Sequence, residues 1–423
     1  MLAALRQGKL FRNTLWMLGA HGGRMLVAAL YFVLLARSLG VEKLGAFAGT
    51  VALVNVLAPF AGLGVGNLLV MHVSRNPAVF AGWWGNALLW TVTLGAVLTA
   101  AVWAFGGHIL PAACSGELIL LLGVADLCFS PLVDRAGQAF QAVERLSVTA
   151  KLLVMANGLR LLAVAGFAVR CPSAPVEVWA MWYLGAAIVG ALISVATVMR
   201  VLGTPRLAHA NWRRDFVQGF YFSISLSAKS VYTDIDKTML TRLSNLEGAG
   251  IYTAAYRIIN MAITPINALL SASCASFFRA GQHGIGEAAS FTFRLLRLSV
   301  VYGIASAVGL WVVAPLLPLV LGQEYTHSVA AMRWLALVPC LQAVHYLFAD
   351  ALMGAGYQGV RSAVQVGVAM VNILLNLWLI PVYSWRGAAW ATLACEAMLA
   401  VCLLATIGFL KRRESATQQR TNA

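Results

Sequence analysis

The sequence predicts an all-α, polytopic membrane protein of about 12 transmembrane helices, arranged as two six-helix lobes related by a parallel repeat. Three observations predict it. Of 423 residues, 61% are apolar and 11% charged, with a mean hydropathy of +0.80, whereas soluble domains carry about a quarter charged residues. Apolar runs recur along the whole chain, and a run of about 20 residues suffices to cross a bilayer. The second half also repeats the first at an offset of 205 residues.

The runs lie near 14–36, 46–71, 83–105, 117–140, 152–170, 177–200, 216–240, 251–273, 291–321, 329–353, 363–383 and 387–410. Arg6, Lys9 and Arg12 precede the first run, which continues to Ala36 without a convincing cleavage site, so it reads as a retained helix. The longest break, Val201 to Asp215, is basic, contains Pro205 and reads as a linker. It divides the chain into lobes 1–205 and 206–423, the second ending in a short polar tail. With the N-terminus inside, the inner segments hold most of the loop cations, among them Arg145, Lys151, Arg200, Arg206, Arg213 and Lys411. The outer ones hold Arg37, Lys43, Arg170, Lys237, Arg242 and Arg386. That bias predicts both termini in the cytoplasm. The net charge of +15 then reflects topology and attraction to anionic lipid, not nucleic acid. The seven cysteines contain no Cys-x-x-Cys pair; Cys114 and Cys171 share the outer side, and their pairing stays open. Nothing resembles the alternating strands of an outer-membrane barrel.

Within the repeat, Arg24 falls on Lys229, Arg37 on Arg242, Glu42 on Glu247, Gly45 on Gly250, Phe47 on Tyr252 and Asn55 on Asn260. Each lobe therefore carries a cation midway along its first helix. Facing one cavity, the two would suit an anionic substrate; alternatively, each pairs with a nearby acid and fixes packing. The stretch from Ser225 to Ser271 is the most polar part of the membrane domain. Lys229, Tyr232 and Asp236 share one helix face, and Arg257, Asn260, Thr264, Asn267 and Ser271 share a face of the next. A charge at the bilayer centre costs roughly 3 kcal/mol or more, so such residues mark a pathway, a site or a structural pair.

Short motifs resemble a known family. Ala36-Arg37-Ser38-Leu39-Gly40, Gly45-Ala46-Phe47, Gly62-Leu63-Gly64, Asp236-Lys237-x-x-Leu240, Gly250-Ile251-Tyr252, Ala255-Tyr256-Arg257, Asn376, Ile380-Pro381 and Gly387-Ala388-Ala389-x-Ala391-Thr392 are similar to the bacterial polysaccharide flippases. These are the Wzx-type members of the multidrug/oligosaccharidyl-lipid/polysaccharide exporter superfamily. The resemblance covers nearly the whole chain; Tyr383-Ser384-Trp385-Arg386-Gly387 departs from the usual Tyr-Gly before the last span. It implies alternating access in the bacterial cytoplasmic membrane and no cofactor. The implied substrate is an undecaprenyl-diphosphate-linked oligosaccharide, moved from inner to outer leaflet for O-antigen, capsule or exopolysaccharide synthesis. Membrane lipids, a polysaccharide polymerase and glycosyltransferases are the implied partners.

For such a substrate, Arg24, Lys229 and Arg257 are candidates for holding phosphate. Asn260, Asn267, Asn372 and Asn376 are candidates for sugar hydroxyls, although each amide would equally serve a helix-to-helix hydrogen bond. If an ion resets the carrier, Asp126, Asp236, Asp350 and Glu396 are the carboxylates to bind it. Asp134, beside Arg135, reads as structural, with Arg160 as its partner.

Other readings remain weaker. Asp234-Ile235-Asp236 matches the Asp-x-Asp of metal-dependent glycosyltransferases, but it is short, lies in an apolar helix and sits toward the outer face. No zinc-ligand spacing, P-loop or nucleophile elbow appears, so neither an enzyme nor a metal site is expected. A lipid II flippase of the same superfamily would carry extra helices. A drug/ion antiporter would present a more acidic cavity.

Overall fold

A computed structural model describes the backbone of residues 2–143, 145–171, 174–207 and 212–421. Side chains are described over 27–414, except at 75, 144, 146, 172–173, 208–219, 221–222, 224–226, 228–229, 232, 268, 271–272 and 274–275. The side chains of Arg24, Lys229 and Tyr232 thus lie outside the described residues.

Among the described residues there is no β-strand, and fifteen α-helices follow one another. They are α1 (Leu2–Leu57), α2 (Val65–Arg75), α3 (Phe80–Ile109), α4 (Gly116–Gly123), α5 (Ser130–Ala142), α6 (Leu146–Arg170), α7 (Val176–Val201) and α8 (Trp212–Leu243). The second series is α9 (Leu246–Gly281), α10 (Ile285–Val313), α11 (Leu317–Leu321), α12 (Thr326–Leu335), α13 (Val338–Gly354), α14 (Gln358–Tyr383) and α15 (Trp385–Thr421). Apart from short breaks such as those at 63–64 and 336–337, the apolar runs lie on helix. Eight helical segments among the described residues are long and apolar enough to cross a membrane, or nine counting the bent pair Gln323–Leu335 and Val338–Gly354. One of the eight, Val27–Ser74, carries the first two runs, and α8 and α9 carry the two polar ones.

Two breaks divide that long segment. Gly40, at φ +73° and ψ 174°, interrupts α1 without a loop. Glycine is needed there both for the left-handed φ and for space, since a Cβ would lie 2.8 Å from Glu324 Oε2. The new helix start is capped from far along the chain: Val41 N–H donates to Glu324 Oε2 at 3.2 Å, placing a carboxylate where helix N–H groups lack partners. A second break follows Pro59, where Leu63 and Gly64 both take positive φ before α2.

The helices group into two compact units. The first comprises Met1–Leu39, Leu57–His108 and Cys114–Ile224; the second comprises Gly40–Val56, Ile109–Ala113 and Ser225–Ala423. In the first, Val65, Leu69, Trp84, Phe140 and Leu152 form a core among α2, α3, α5 and α6. In the second, Phe277, Ile285, Leu347, Leu352 and Leu403 do so among α9, α10, α13 and α15.

Gly40–Val56 packs inside the second unit through unusually close backbones. A Cβ at Gly45 would lie 1.9 Å from Leu246 O, and one at Gly250 would lie 2.0 Å from Val41 O. Both pairs map onto each other under the 205-residue offset: 41 becomes 246 and 45 becomes 250. The repeat is therefore physical as well as sequential, because equivalent glycines let equivalent carbonyls approach from both sides. Hydroxyls lock the same segment to α8, with Thr238 Oγ1 donating to Gly49 O at 2.9 Å and Ser227 Oγ to Val56 O at 2.7 Å.

Candidate functional site

In the first unit, polar chemistry gathers at a wound-out turn. Pro131 has no N–H for the carbonyl of Leu127, four residues back, and residues Val124–Phe129 widen into a π turn in which Ser130 N–H reaches Ala125 O. The bulge fits because α3 offers Gly95, where a Cβ would lie 2.3 Å from Leu127 O. Such turns often sit at functional positions. Here the turn buries Asp126, which is 8% exposed. Its carboxylate accepts from Tyr183 Oη at 2.9 and 3.1 Å and from Ser130 Oγ at 2.9 Å. Arg160 lies 3.6 Å from Asp126, donates to Ser130 Oγ at 3.0 Å and stacks over the Tyr183 ring at 5.0 Å. Arg160, the expected partner of Asp134, comes within ion-pair distance of Asp126, eight residues earlier, while its charge still acts on Asp134. Arg135 donates to Gln138 Oε1 at 2.6 Å, in a space kept open by Gly66.

In the second unit, Asp236 is buried and accepts from Tyr252 Oη and from the Lys237 N–H, the latter at 2.8 Å. Tyr252 Oη also meets Thr392 Oγ1 at 2.9 Å, linking α8, α9 and α15. Lys237 turns the other way: it pairs with Asp234, donates to Thr233 O at 3.1 Å and lies over the Tyr256 ring at 4.7 Å. The two carboxylates of Asp234-Ile235-Asp236 are thus held by different partners.

One turn beyond Thr392, Glu396 accepts from Gln342 Nε2 at 2.6 Å, and its other oxygen lies 2.6 Å from His345 Nε2. Asp350 lies 3.7 Å from Arg361. Asn376 Nδ2 donates to Asn372 Oδ1 at 3.0 Å within α14, and both amides are buried. Arg257, Asn260 and Asn267 behave oppositely: they stay exposed along α9, while Ile259, Ile263 and Ile266 between them are buried. Cys114 and Cys171 are not joined in a disulfide.

A model of the family described as polysaccharide biosynthesis protein matches residues 10–275. The chain belongs to that family. No curated relative matches it. Among solved structures, the lipid II flippase MurJ in an inward closed conformation superimposes with a TM-score of 0.77 at 12% identity, covering 92% of this chain and 86% of that one. An inward-facing multidrug resistance MATE family transporter of the MOP superfamily gives 0.73 at 14% identity, covering 91% and 95%. A MOP superfamily transporter from Pyrococcus furiosus, described by a binding pocket of reverse polarity, gives 0.61 at 15% identity, covering 93% of each. The fold is that of this exporter superfamily, and the chain is a multi-pass membrane protein. Its relatives in fold are transporters and a flippase rather than enzymes.

In this polysaccharide biosynthesis protein, Arg257, Asn260 and Asn267 form one stripe. Asp126 lies in the other unit; Asp236 and Glu396 flank Thr392, and Asn372 stays with Asn376. Sequence reading missed His345, Gln342, Tyr183 and Thr392. A signal existed for the first two, a His and a Gln three apart inside an apolar run, yet without the fold they read as ordinary core residues.

Proposed function

We propose that this chain moves undecaprenyl-diphosphate-linked oligosaccharide repeat units from the inner to the outer leaflet of a bacterial cytoplasmic membrane by alternating access. The flipped units feed O-antigen, capsule or exopolysaccharide synthesis. The observation that carries this reading is the family match over 10–275, laid on a chain of membrane-crossing helices. The lipid II flippase among the fold relatives moves a lipid-borne cargo, which supports a lipid-linked substrate here. Both termini are cytoplasmic, and the lobes are 1–205 and 206–423. A polymerase and glycosyltransferases act in the same pathway.

The exposed stripe of α9 supports a wet path for the headgroup. Apolar residues at the same depth would face lipid at no cost, whereas exposed polar side chains such as Arg257, Asn260 and Asn267 are costly against hydrocarbon. Arg24, Lys229 and Arg257 hold the diphosphate; Asn260, Asn267 and Asn372 meet sugar hydroxyls. Asp126, Asp236, Asp350 and Glu396 are the candidates for a coupling ion. Drug export, the printed role of the MATE relatives, is the second reading. The reverse-polarity pocket of the Pyrococcus furiosus transporter shows that this fold tolerates opposite pocket charges, so residues rather than fold must decide. The basic triad favours an anionic cargo.

The test is a deletion strain of the source bacterium. Lipid-linked repeat units should accumulate on the inner leaflet and surface glycan should disappear, with both restored by the intact gene. Normal surface glycan without accumulation would overturn the reading.

A further inference from the structure

We propose that the linker after α7 and the first turns of α3 form a binding site for an anionic phospholipid, its phosphate on Arg206 and one acyl chain in the groove below. The lipid belongs to the leaflet on the linker's side, the inner one under the proposed topology. The site goes beyond the proposed cargo and lies wholly within the first unit.

The groove exists because the linker crosses α3 at contact distance. Arg206 N–H donates to Ala81 O at 2.8 Å. One turn along the helix, Gly85 lets the strap settle: a Cβ there would lie 2.3 Å from Arg206 O, so any side chain would block the crossing. These two contacts fix the backbone of Arg206 over α3. Below the crossing, Leu88, Leu89 and Val92 continue the Gly85 face at i+3, i+4 and i+7. With Pro205 and Leu207 at the rim, they line a cavity of about 360 Å³. Another face of α3, carrying Trp84 and Ala87, is buried in the core of the unit, while Leu89 and Val92 stay about half exposed.

The chemistry of the groove selects its ligand. Its side chains are apolar except for Arg206, with no hydroxyl or amide to meet a sugar. A glycan would leave polar groups unsatisfied there, whereas an acyl chain would not. From Gly85 to Val92 the helix rises about 10 Å, within the hydrocarbon depth of one leaflet, about 15 Å. Leu207, 70% exposed beside an arginine, is well placed against such a chain and poorly placed in water. Arg206 is exposed and, among the described residues, forms no ion pair. The chain holds no Asp or Glu from Lys43 to Gly116, nor from Val178 to Arg214, so both elements of the groove carry positive charge only. Arg200, Arg213 and Arg214 add to it. A basic cluster at the membrane surface attracts anionic headgroups, and a guanidinium meets phosphate oxygens in pairs. Zwitterionic phosphatidylcholine brings its own cation beside the phosphate and gains less.

The test is native mass spectrometry of the full chain, delipidated in detergent and titrated with dioleoyl phosphatidylglycerol or dioleoyl phosphatidylcholine. Phosphatidylglycerol should bind about fivefold more tightly or better, the preference one nearby arginine confers, and Arg206→Gln should remove that preference. Lys151→Gln, which deletes an exposed cation of α6 in the same unit, should leave it intact. Val92→Trp fills the groove and keeps the arginine, so it should weaken binding of both lipids; it also keeps the site testable should Arg206→Gln fail to fold. Equal binding of the two lipids, a preference that survives Arg206→Gln, or undiminished binding by Val92→Trp would overturn the site. A loss of equal size in Lys151→Gln would mark general charge attraction and overturn it too. Displacement of phosphatidylglycerol by inorganic phosphate would reduce the site to one for free anions, and tighter binding of undecaprenyl phosphate would make it part of the cargo path; either refutes the phospholipid. A deletion strain with normal surface glycan refutes the proposed cargo and leaves this site standing.

Discussion

Gly250→Ala is the sharpest test of the repeat as a structural device. The added methyl would lie 2.0 Å from Val41 O and 2.8 Å from Val41 C, where ordinary contact begins near 3.4 Å. The obstacle is backbone, which cannot rotate away, so two helices must part by more than an ångström. Overpacking of this kind costs typically about 1–3 kcal/mol. Replacing a helical glycine by alanine elsewhere gains about 0.5–1 kcal/mol, so clash and propensity oppose each other and the clash wins. Gly309, with nothing within 4 Å of its Cβ position, supplies the control: Gly309→Ala should be neutral or mildly stabilising. Gly45→Ala should resemble Gly250→Ala. The double variant should cost less than the sum, because the first methyl opens the space that the second enters. Thermal unfolding of the purified chain in bilayers reads all four. A Gly250→Ala protein as stable as the native one, or a strictly additive double variant, would refute the reciprocal crossing.

Tyr252→Phe should destabilise by about 1–3 kcal/mol, because it strips a donor from buried Asp236 and a partner from Thr392; adding Asp236→Asn should recover part of the loss in the same melt. Arg160→Gln should cost about 3–5 kcal/mol by leaving Asp126 buried without its cation, and Asp126→Asn should rescue it, a coupling measurable by double-mutant cycle. Glu324→Ala, which uncaps the helix beginning at Val41, should cost about 0.5–2 kcal/mol by thermal unfolding. Arg257→Gln should reduce surface glycan; unimpaired glycan would remove this residue from the proposed path.

Much of the fold was legible because a membrane simplifies the code. A run of apolar residues admits little besides a helix, so all twelve runs could be marked. The repeat was legible because Gly45 and Gly250 are held by backbone contact and tolerate no side chain. The break between the first two runs was marked by the charges from Arg37 to Lys43, but not that it is a single glycine kink at Gly40: its cap, Glu324, comes from a 3₁₀ turn 283 residues from Val41. The π turn left one trace, Pro131, but its depth depends on Gly95 of another helix. Among candidate site residues, polarity inside a span was a sound guide to interest and a poor guide to partners. Asp126 and Glu396 stood out alone, whereas Tyr183 and His345 look like ordinary core side chains until the fold brings them to a carboxylate.

The repeat preserved geometry more faithfully than chemistry. Where the offset holds, Asp236 and Tyr252 correspond to Tyr31 and Phe47. The second copy thus buries a carboxylate and the hydroxyl that serves it, while the first has two aromatics. The Tyr31 ring lies 6.2 Å from that of Trp179, and the first unit places its own buried acid elsewhere, at Asp126 on the π turn. A duplicated scaffold needs matched helix crossings in both copies to stay folded, and the glycines supply them. It does not need matched charges. Burying a carboxylate in one copy at a position filled by an aromatic in the other is costly unless function repays it. The asymmetry of Asp236, held by Tyr252, which itself meets Thr392, therefore marks a buried carboxylate in the second copy that the shared scaffold does not require.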